Sequence, residues 1–476
     1  MRLRPDPGAR LLAGGTVLVG GSPVRLLRLT PSGARHVAGW WRGAPLPDDP
    51  RARALARRLL DTGIAHPVPD GMPTAVPAEV TVVIPVRDRC RELARCLAGL
   101  RDLPAVIVVD DGSADPAAVA EVTAAAGARL LRRHVSGGPG AARNAGLAVA
   151  GTPLVAFLDS DCLPAPGWLD RLLPHFADPA VGAVAPRIVP GSAGRTWLAR
   201  YEGASSTLDM GARPCIVRPG SGVPYVPGAA LVVRRAAAGA GFAEDMQVGE
   251  DVDFVWRLAA SGWRVRYEPA AVMRHRHRVR LRAWSARRRE YGTSAAGLEL
   301  RHPGDVRPLS VSAWTALAWL AAAAGRPAAA AAVTGAGTVL LARRLARVTG
   351  ERWPRARAAW LLAARLAGGG TLAAVRPAGS AISRTWWPAA LPAALAVPRL
   401  RLPLAALVLA PPLLDWLDRR PPLDPARYLA ARLLDDVAYS IGVWQGCARH
   451  RTVRPLLPLV TGLRLRPPAA PGPGRG

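Results

Sequence analysis

The chain has 476 residues, which at ordinary domain sizes corresponds to about three domains, and a formal net charge of +29 from 63 basic and 34 acidic side chains. Every basic residue is arginine, and alanine, glycine and proline abound. This marks a GC-rich coding bias, so the charge does not call for a nucleic acid; an anionic membrane surface or a sugar nucleotide is the compatible partner. Cys90, Cys96, Cys162, Cys215 and Cys447 are odd in number and form no CxxC pair, which speaks against a disulfide framework and a zinc site and for a reducing compartment.

The start, MRLRPDPGARLLAGG, breaks any apolar core with charge and proline, so no export signal is expected and the polar domains are placed on the cytoplasmic side. Residues 1–78 predict a small module. Leu11 to Leu29 alternates around Gly20-Gly21-Ser22-Pro23 as a hairpin. One helix starts at Pro31-Ser32-Gly33 and carries Val37, Trp40 and Trp41; a second, Arg51 to Leu60, stops at Asp61-Thr62-Gly63. Ile64 to Pro67 is a closing strand, and 67–78 is a proline-rich linker. The module resembles a winged helix and the small peptide-binding domains of modified-peptide biosynthesis, with a DNA-binding or purely structural winged helix as the rival. Trp40 and Trp41 read as core.

From Glu79 the pattern is α/β. Val80 to Val86 and Ala105 to Val109 are buried strands, and Leu93, Leu97 and Leu100 stripe the helix between them. The second strand ends in Asp110-Asp111-Gly112-Ser113. A helix near Ala117 to Ala126 follows, then the glycine-rich run Ser136 to Gly146, then the strand Leu154 to Leu158 ending in Asp159-Ser160-Asp161. Alternation at this spacing implies right-handed crossovers, a mostly parallel sheet and three polar clusters on one edge. If the last strand ran on, Asp159 and Asp161 would share a side and a ligand; a simple strand-ending turn is the alternative.

Further strands are expected at Val181 to Ala185, Val226 to Val233 and Gly262 to Tyr267. Glu250-Asp251 opens an apolar-striped helix, and a basic helix follows His275-Arg276-His277. From about Val311 the chain turns to Ala, Leu and Trp: Val311 to Gly325 and Ala328 to Ala342 are apolar runs of 15 residues each, shorter than a spanning helix of roughly 17 to 25. Trp386 to Trp416 is longer but broken by arginine and proline. A membrane-associated helical region is expected over 306–466, with a soluble alanine-rich bundle as the rival, and a disordered tail over 467–476.

These clusters suit a sugar-nucleotide site. Breaking an anomeric phosphate bond needs a divalent cation for the leaving diphosphate, donors for base and ribose, and a carboxylate to deprotonate the acceptor. Paired acids at a strand end can hold such a cation, a glycine-rich helix start can approach a nucleotide, and Glu250-Asp251 is the candidate base. Asp253 pairs with Arg257 on an exposed helix face, and Asp110 either caps its turn or touches the nucleotide.

TVVIPVRDR, VVDDGSAD, GGPGAARNAG, FLDSDC, PGAALVVRR and GEDVDFVWRLAASGWRV occur in the order and spacing of the family 2 glycosyltransferases, over roughly residues 79–295. The whole chain, including RLLDDVAYSIGVWQGC, is similar to the glycosyltransferases of the mycofactocin system. The resemblance implies a GT-A-type, Rossmann-like mixed sheet with helices on both faces over 79–305, beside the N-terminal module and the C-terminal hydrophobic region. It implies that Asp111 and Arg143 contact the uracil of a UDP-sugar, Asp159 the ribose, and Asp161 a Mn²⁺ or Mg²⁺ ion. Pro85, Asp110 and Asn144 belong to the same nucleotide motifs. Asp251, beside Glu250, is implied as the base of an inverting displacement and His275 as a further metal ligand, against a solvated basic strip for His275 and His277. Arg288 and Tyr291 are implied to face the diphosphate, although the QxxRW form of processive synthases is missing. The implied reaction moves a hexose, glucose first, onto a peptide-derived redox-cofactor precursor. A lipid or cell-wall acceptor, or a winged-helix regulator with an inactive transferase domain, are the alternatives.

Overall fold

The computed structural model describes residues 1–68, 76–191, 194–350 and 352–461. The expected tail and most of the expected linker lie outside them. The N-terminal segment forms the elements its punctuation predicts. Strands β1 (Arg2–Pro5), β2 (Arg10–Leu12), β3 (Val17–Gly20) and β4 (Arg25–Arg28) precede helices α1 (Pro31–Trp41) and α2 (Pro50–Thr62) and strand β5 (Ala65–Val68). Asp49 accepts the Ala52 N–H at 2.7 Å to cap α2, and Gly63, at φ 69°, ends it. β2, β3 and β4 form one small sheet, and β1 pairs antiparallel with β5.

Two compact units divide the chain. The first holds Met1–Ala9, Gly20–Arg25 and His36–Trp284; the second holds Arg10–Val19, Leu26–Arg35 and the chain from Ser285 onward. In the first, Val80–Val86 (β6), Val106–Asp111 (β7), Arg129–Arg133 (β8) and Leu154–Leu158 (β9) lie parallel. They are joined by Cys162–Pro164 (β10), Val181–Pro190 (β11), Cys215–Ile216 (β12), Ala230–Arg234 (β13) and Arg264–His275 (β14). The order is β10-β14-β11-β13-β9-β6-β7-β8, with β12 on β14. Because β13 runs antiparallel to both β9 and β11, the sheet is mixed.

Helix α3 (Cys90–Ala98) and helix α4 (Pro116–Ala125) bring Leu93, Leu97 and Val119 onto the face that carries Val82, Ile84 and Val108. Helix α5 (Gly138–Val149) covers the other face so closely that a Cβ on Gly146 would stand 2.3 Å from Val83 and 3.2 Å from Val109. This is the GT-A-type sheet with helices on both faces. The short helices α6 (Trp168–Leu172) and α7 (Trp197–Ser205) and the longer α8 (Glu250–Ala260) complete the unit.

Several strands escaped the sequence reading, among them the short β1, β10 and β12, and the five-residue β8. β8 reads RLLRR, whose charged ends hide it; it lies at the sheet edge, where only one side needs a partner. Asp253 also differs from expectation: its carboxylate does accept from Arg257 at 2.8 Å, but it is buried, not on an exposed face.

In the second unit, helix α9 (Leu281–Arg301) packs its later turns on Pro425–Arg449. The two backbones nearly touch: a Cβ on Gly442 would fall 1.8 Å from the Arg289 carbonyl oxygen, and one on Gly446 2.5 Å from that of Thr293. Spacing of four puts both glycines on one helix face. The apolar runs seen in the sequence become Ala313–Ala323 and Pro327–Thr349. Two further stretches, Arg357–Ala396 of 40 residues and Pro398–Arg419 of 22, are long and apolar enough to cross a membrane.

Candidate active site

β6, β7 and β9 are parallel, so their carboxyl ends meet at one sheet edge, where ligands of open α/β sheets bind. Pro85 sits half-buried beside Val109 at this edge. Of the two acids ending β7, Asp110 is fully buried; it accepts the Ser113 N–H at 3.0 Å and pairs with Arg132. That is the turn-capping role. Asp111 reaches into the glycine-rich run, accepting from Gly137 N at 3.1 Å, Gly138 N at 2.8 Å and Ser136 Oγ at 2.8 Å, with Arg133 3.1 Å away. The acid therefore meets the N-terminus of α5, where amides and helix dipole favour an anion. Asn144 is used up structurally, donating to Phe242 O and Glu244 and accepting from Phe242 N.

Arg143 is the hub. It is buried, donates through one nitrogen to Asp159 Oδ1 and through the other to Glu250 Oε1, each at 2.8 Å, and lies 5.3 Å from the Phe242 ring centroid. Burial opposes its charge, yet Asp159, Glu250 and Asp251 outweigh that and raise its pKa. Asp251, half-buried in the first turn of α8, accepts the Gly228 N–H at 2.7 Å. A Cβ at Gly228 would sit 2.8 Å from that side chain, so only glycine admits the tether.

Glu250 is pushed to about 7, first by burial and then by the charge of Asp251, against the pull of Arg143. A carboxyl with a raised folded pKa adds stability fully below its unfolded value, and that stability is lost as pH rises from about 4.5 through about 7. Urea unfolding at pH 5 and pH 8 is expected to show a larger loss of stability with pH for the wild type than for Glu250→Gln; equal losses would discount the shift.

The acids of the DxD motif part company. Cys162 N donates to Asp159 O at 3.0 Å, closing a turn, so β9 does not run on and the two side chains take separate partners. Asp161 pairs through one oxygen with Arg89 and lies through the other 3.3 Å from His275 Nε2. Burial pushes its pKa up, but the hydrogen bond and charge of His275 and the charge of Arg89 prevail and hold it at about 2. His275 faces Cys162 across the β10–β14 ladder, and its Nδ1 is 3.0 Å from Nδ1 of His277.

An octahedral ion with bonds of roughly 2.1 Å sets adjacent ligands about 3 Å apart. The oxygen of Asp161 and the nitrogen of His275 match that spacing. Among the described residues no group of three or more His, Cys, Asp or Glu gathers around such a point, so substrate oxygens and water would fill the other positions.

Arg288 and Tyr291 belong to the second unit: Arg288 is buried and paired with Asp435 at 3.2 Å, and Tyr291 has the Arg287 guanidinium 4.6 Å from its ring centroid. Sequence reasoning missed Arg89, Arg132 and Gly228. Arg89 left a signal as one of two arginines flanking an aspartate after β6, and Gly228 as the glycine of PGAALVVRR; Arg132 left none.

The family model described as glycosyl transferase family 2 matches residues 81–241. The pre-mycofactocin glycosyltransferase of Mycobacterium tuberculosis is 43% identical over 469 residues, covering 96% of this chain and 97% of that one. The succinoglycan biosynthesis protein ExoU of Rhizobium meliloti is 34% identical over 108 residues, 21% of this chain and 32% of its own. Among solved structures, a mannosyltransferase from Pyrobaculum calidifontis in complex with GDP-Man and Mn²⁺ is 21% identical, covers 64% of this chain and 89% of that one, and has a TM-score of 0.38. With a relative matched along nearly its whole length, this chain belongs to the family 2 glycosyltransferases.

Proposed function

We propose that the protein is an inverting hexosyltransferase that moves glucose from a UDP-sugar to a peptide-derived precursor of mycofactocin. The relative's name supports the acceptor class. The observation that carries the chemistry is Asp251, a carboxylate opening α8, tethered by the Gly228 amide and within the electrostatic field of the Arg143 hub. Asp251 takes the acceptor hydroxyl proton as the oxygen attacks the anomeric carbon. The new C–O bond forms as the bond to the diphosphate breaks, and UDP leaves on the opposite side.

Asp161 and His275 would hold Mn²⁺ or Mg²⁺, which supplies positive charge to the departing diphosphate. Asp159, held by Arg143, is proposed for the ribose, and Asp111 and Pro85 for the base. Arg143 itself reads more naturally as the holder of these acids than as a base contact, since both terminal nitrogens are engaged.

The N-terminal residues 1–78 are proposed to bind the peptide-derived acceptor, and residues 306–466 to associate with the membrane, with catalysis on the cytoplasmic side. Leu361, Leu372, Leu391, Leu395 and Leu402 are exposed along the two long apolar stretches, as lipid contact would require. The same exposure favours the second reading, a lipid acceptor. Detergent-purified protein with Mn²⁺, UDP-glucose and each acceptor class, read by mass spectrometry, separates them. A hexose added to the peptide-derived acceptor is expected; addition to lipid alone would reject the first reading.

A further inference from the structure

Arg89 stands at the N-cap of α3 with φ −129° and ψ 49°, and its side chain makes no capping bond. A cation gains nothing there, because the unpaired N–H groups of a first helical turn already carry positive partial charge. Asp88, the residue before it, takes a left-handed φ of 56°, which short polar residues tolerate only when the surroundings hold them. Here they do: Asp88 N donates to Ser113 Oγ at 3.0 Å, and Ala114 N donates to Asp88 Oδ1 at 2.7 Å. On the next helical residues, Glu92 accepts from Arg276 at 3.0 Å, so the start of α3 is also tied to the chain after β14. The outcome of this bracing is an arginine aimed at Asp161. The Arg89 side chain is 39% exposed and that of Asp161 13%, so the arginine is the partner that solvent reaches.

We propose that Arg89 is a built-in cation that neutralises Asp161 until a divalent ion and a nucleoside diphosphate arrive together, and that it thereby couples their binding. This rests on the ion reading given above. Two cations on one carboxylate repel each other, so an ion arriving alone gains less from Asp161 while Arg89 is present. A diphosphate offers the planar guanidinium a bidentate anionic partner within the same edge, and it frees Asp161 for the ion. By linkage, each ligand then strengthens the other. Arg89 acts as a positioning residue through Asp161.

The test is Mn²⁺ binding to the full-length protein, followed by electron paramagnetic resonance of free Mn²⁺ with and without UDP, for wild type, Arg89→Ala and Arg89→Lys. Without UDP, Arg89→Ala is expected to bind Mn²⁺ roughly fivefold tighter than wild type, the size of one partly exposed ion pair, while Arg89→Lys stays close to wild type. Adding UDP should tighten Mn²⁺ binding by a larger factor in wild type than in Arg89→Ala. Unchanged or weaker Mn²⁺ binding by Arg89→Ala, or equal effects of UDP in the two proteins, overturns the proposal. No Mn²⁺ binding by any of the three, with or without UDP, would instead remove the ion reading on which it rests.

Discussion

Asp251→Asn is expected to lower kcat by about 10²- to 10⁴-fold, the range removed when a positioned general base is lost. Asparagine keeps an oxygen to accept the Gly228 N–H, so the start of α8 stays in place and the change isolates basicity. The donor KM should move little, because the ribose and base contacts proposed for Asp159 and Asp111 are untouched. Initial rates of UDP release with saturating acceptor check this. Retention of more than a tenth of wild-type kcat would assign the proton to another group, with Glu250 next in line because its pKa of about 7 keeps it partly ionised near neutrality.

Arg143→Met is the substitution with the largest expected effect on stability. The guanidinium is buried between Asp159 and Glu250, with Asp251 also within its field. Methionine preserves much of the volume but leaves acids at a buried site without their cation, which costs about 3–5 kcal/mol. Urea unfolding should show a marked drop in midpoint. Adding Glu250→Gln removes one of the orphaned charges while keeping an amide in its place, so the double variant is expected to recover part of the loss. If the two substitutions simply add, the three side chains do not act as one network. Activity should fall as well, since Asp159 loses the group that orients it.

Much of this site could be seen in the unfolded alphabet. The buried strands were legible because uninterrupted Val and Ile runs have few other uses, and the clusters Asp110-Asp111, Asp159-Asp161 and Glu250-Asp251 stood at the ends and starts of such elements. What could not be read was which acid goes to which partner. Asp110 and Asp111 are neighbours, yet one is sealed under its own turn and the other caps the glycine-rich helix, because successive residues of a strand face opposite ways. Asp159 and Asp161 would share a side only if β9 ran on; a turn closed by the Cys162 N–H on the Asp159 carbonyl separates them instead. β8 stayed hidden because an edge strand tolerates arginine at its ends.

The sequence by itself determined the family, the α/β alternation and the inventory of acids, since apolar period and motif spacing are local properties of the chain. Only the tertiary structure decided the pairings: Arg143 with Asp159 and Glu250, Asp251 with the Gly228 amide, and Asp161 with Arg89 and His275. These partners lie from 16 to 114 positions apart by their residue numbers. Burial is what makes their charges matter to one another, and burial exists only once the sheet has closed over them.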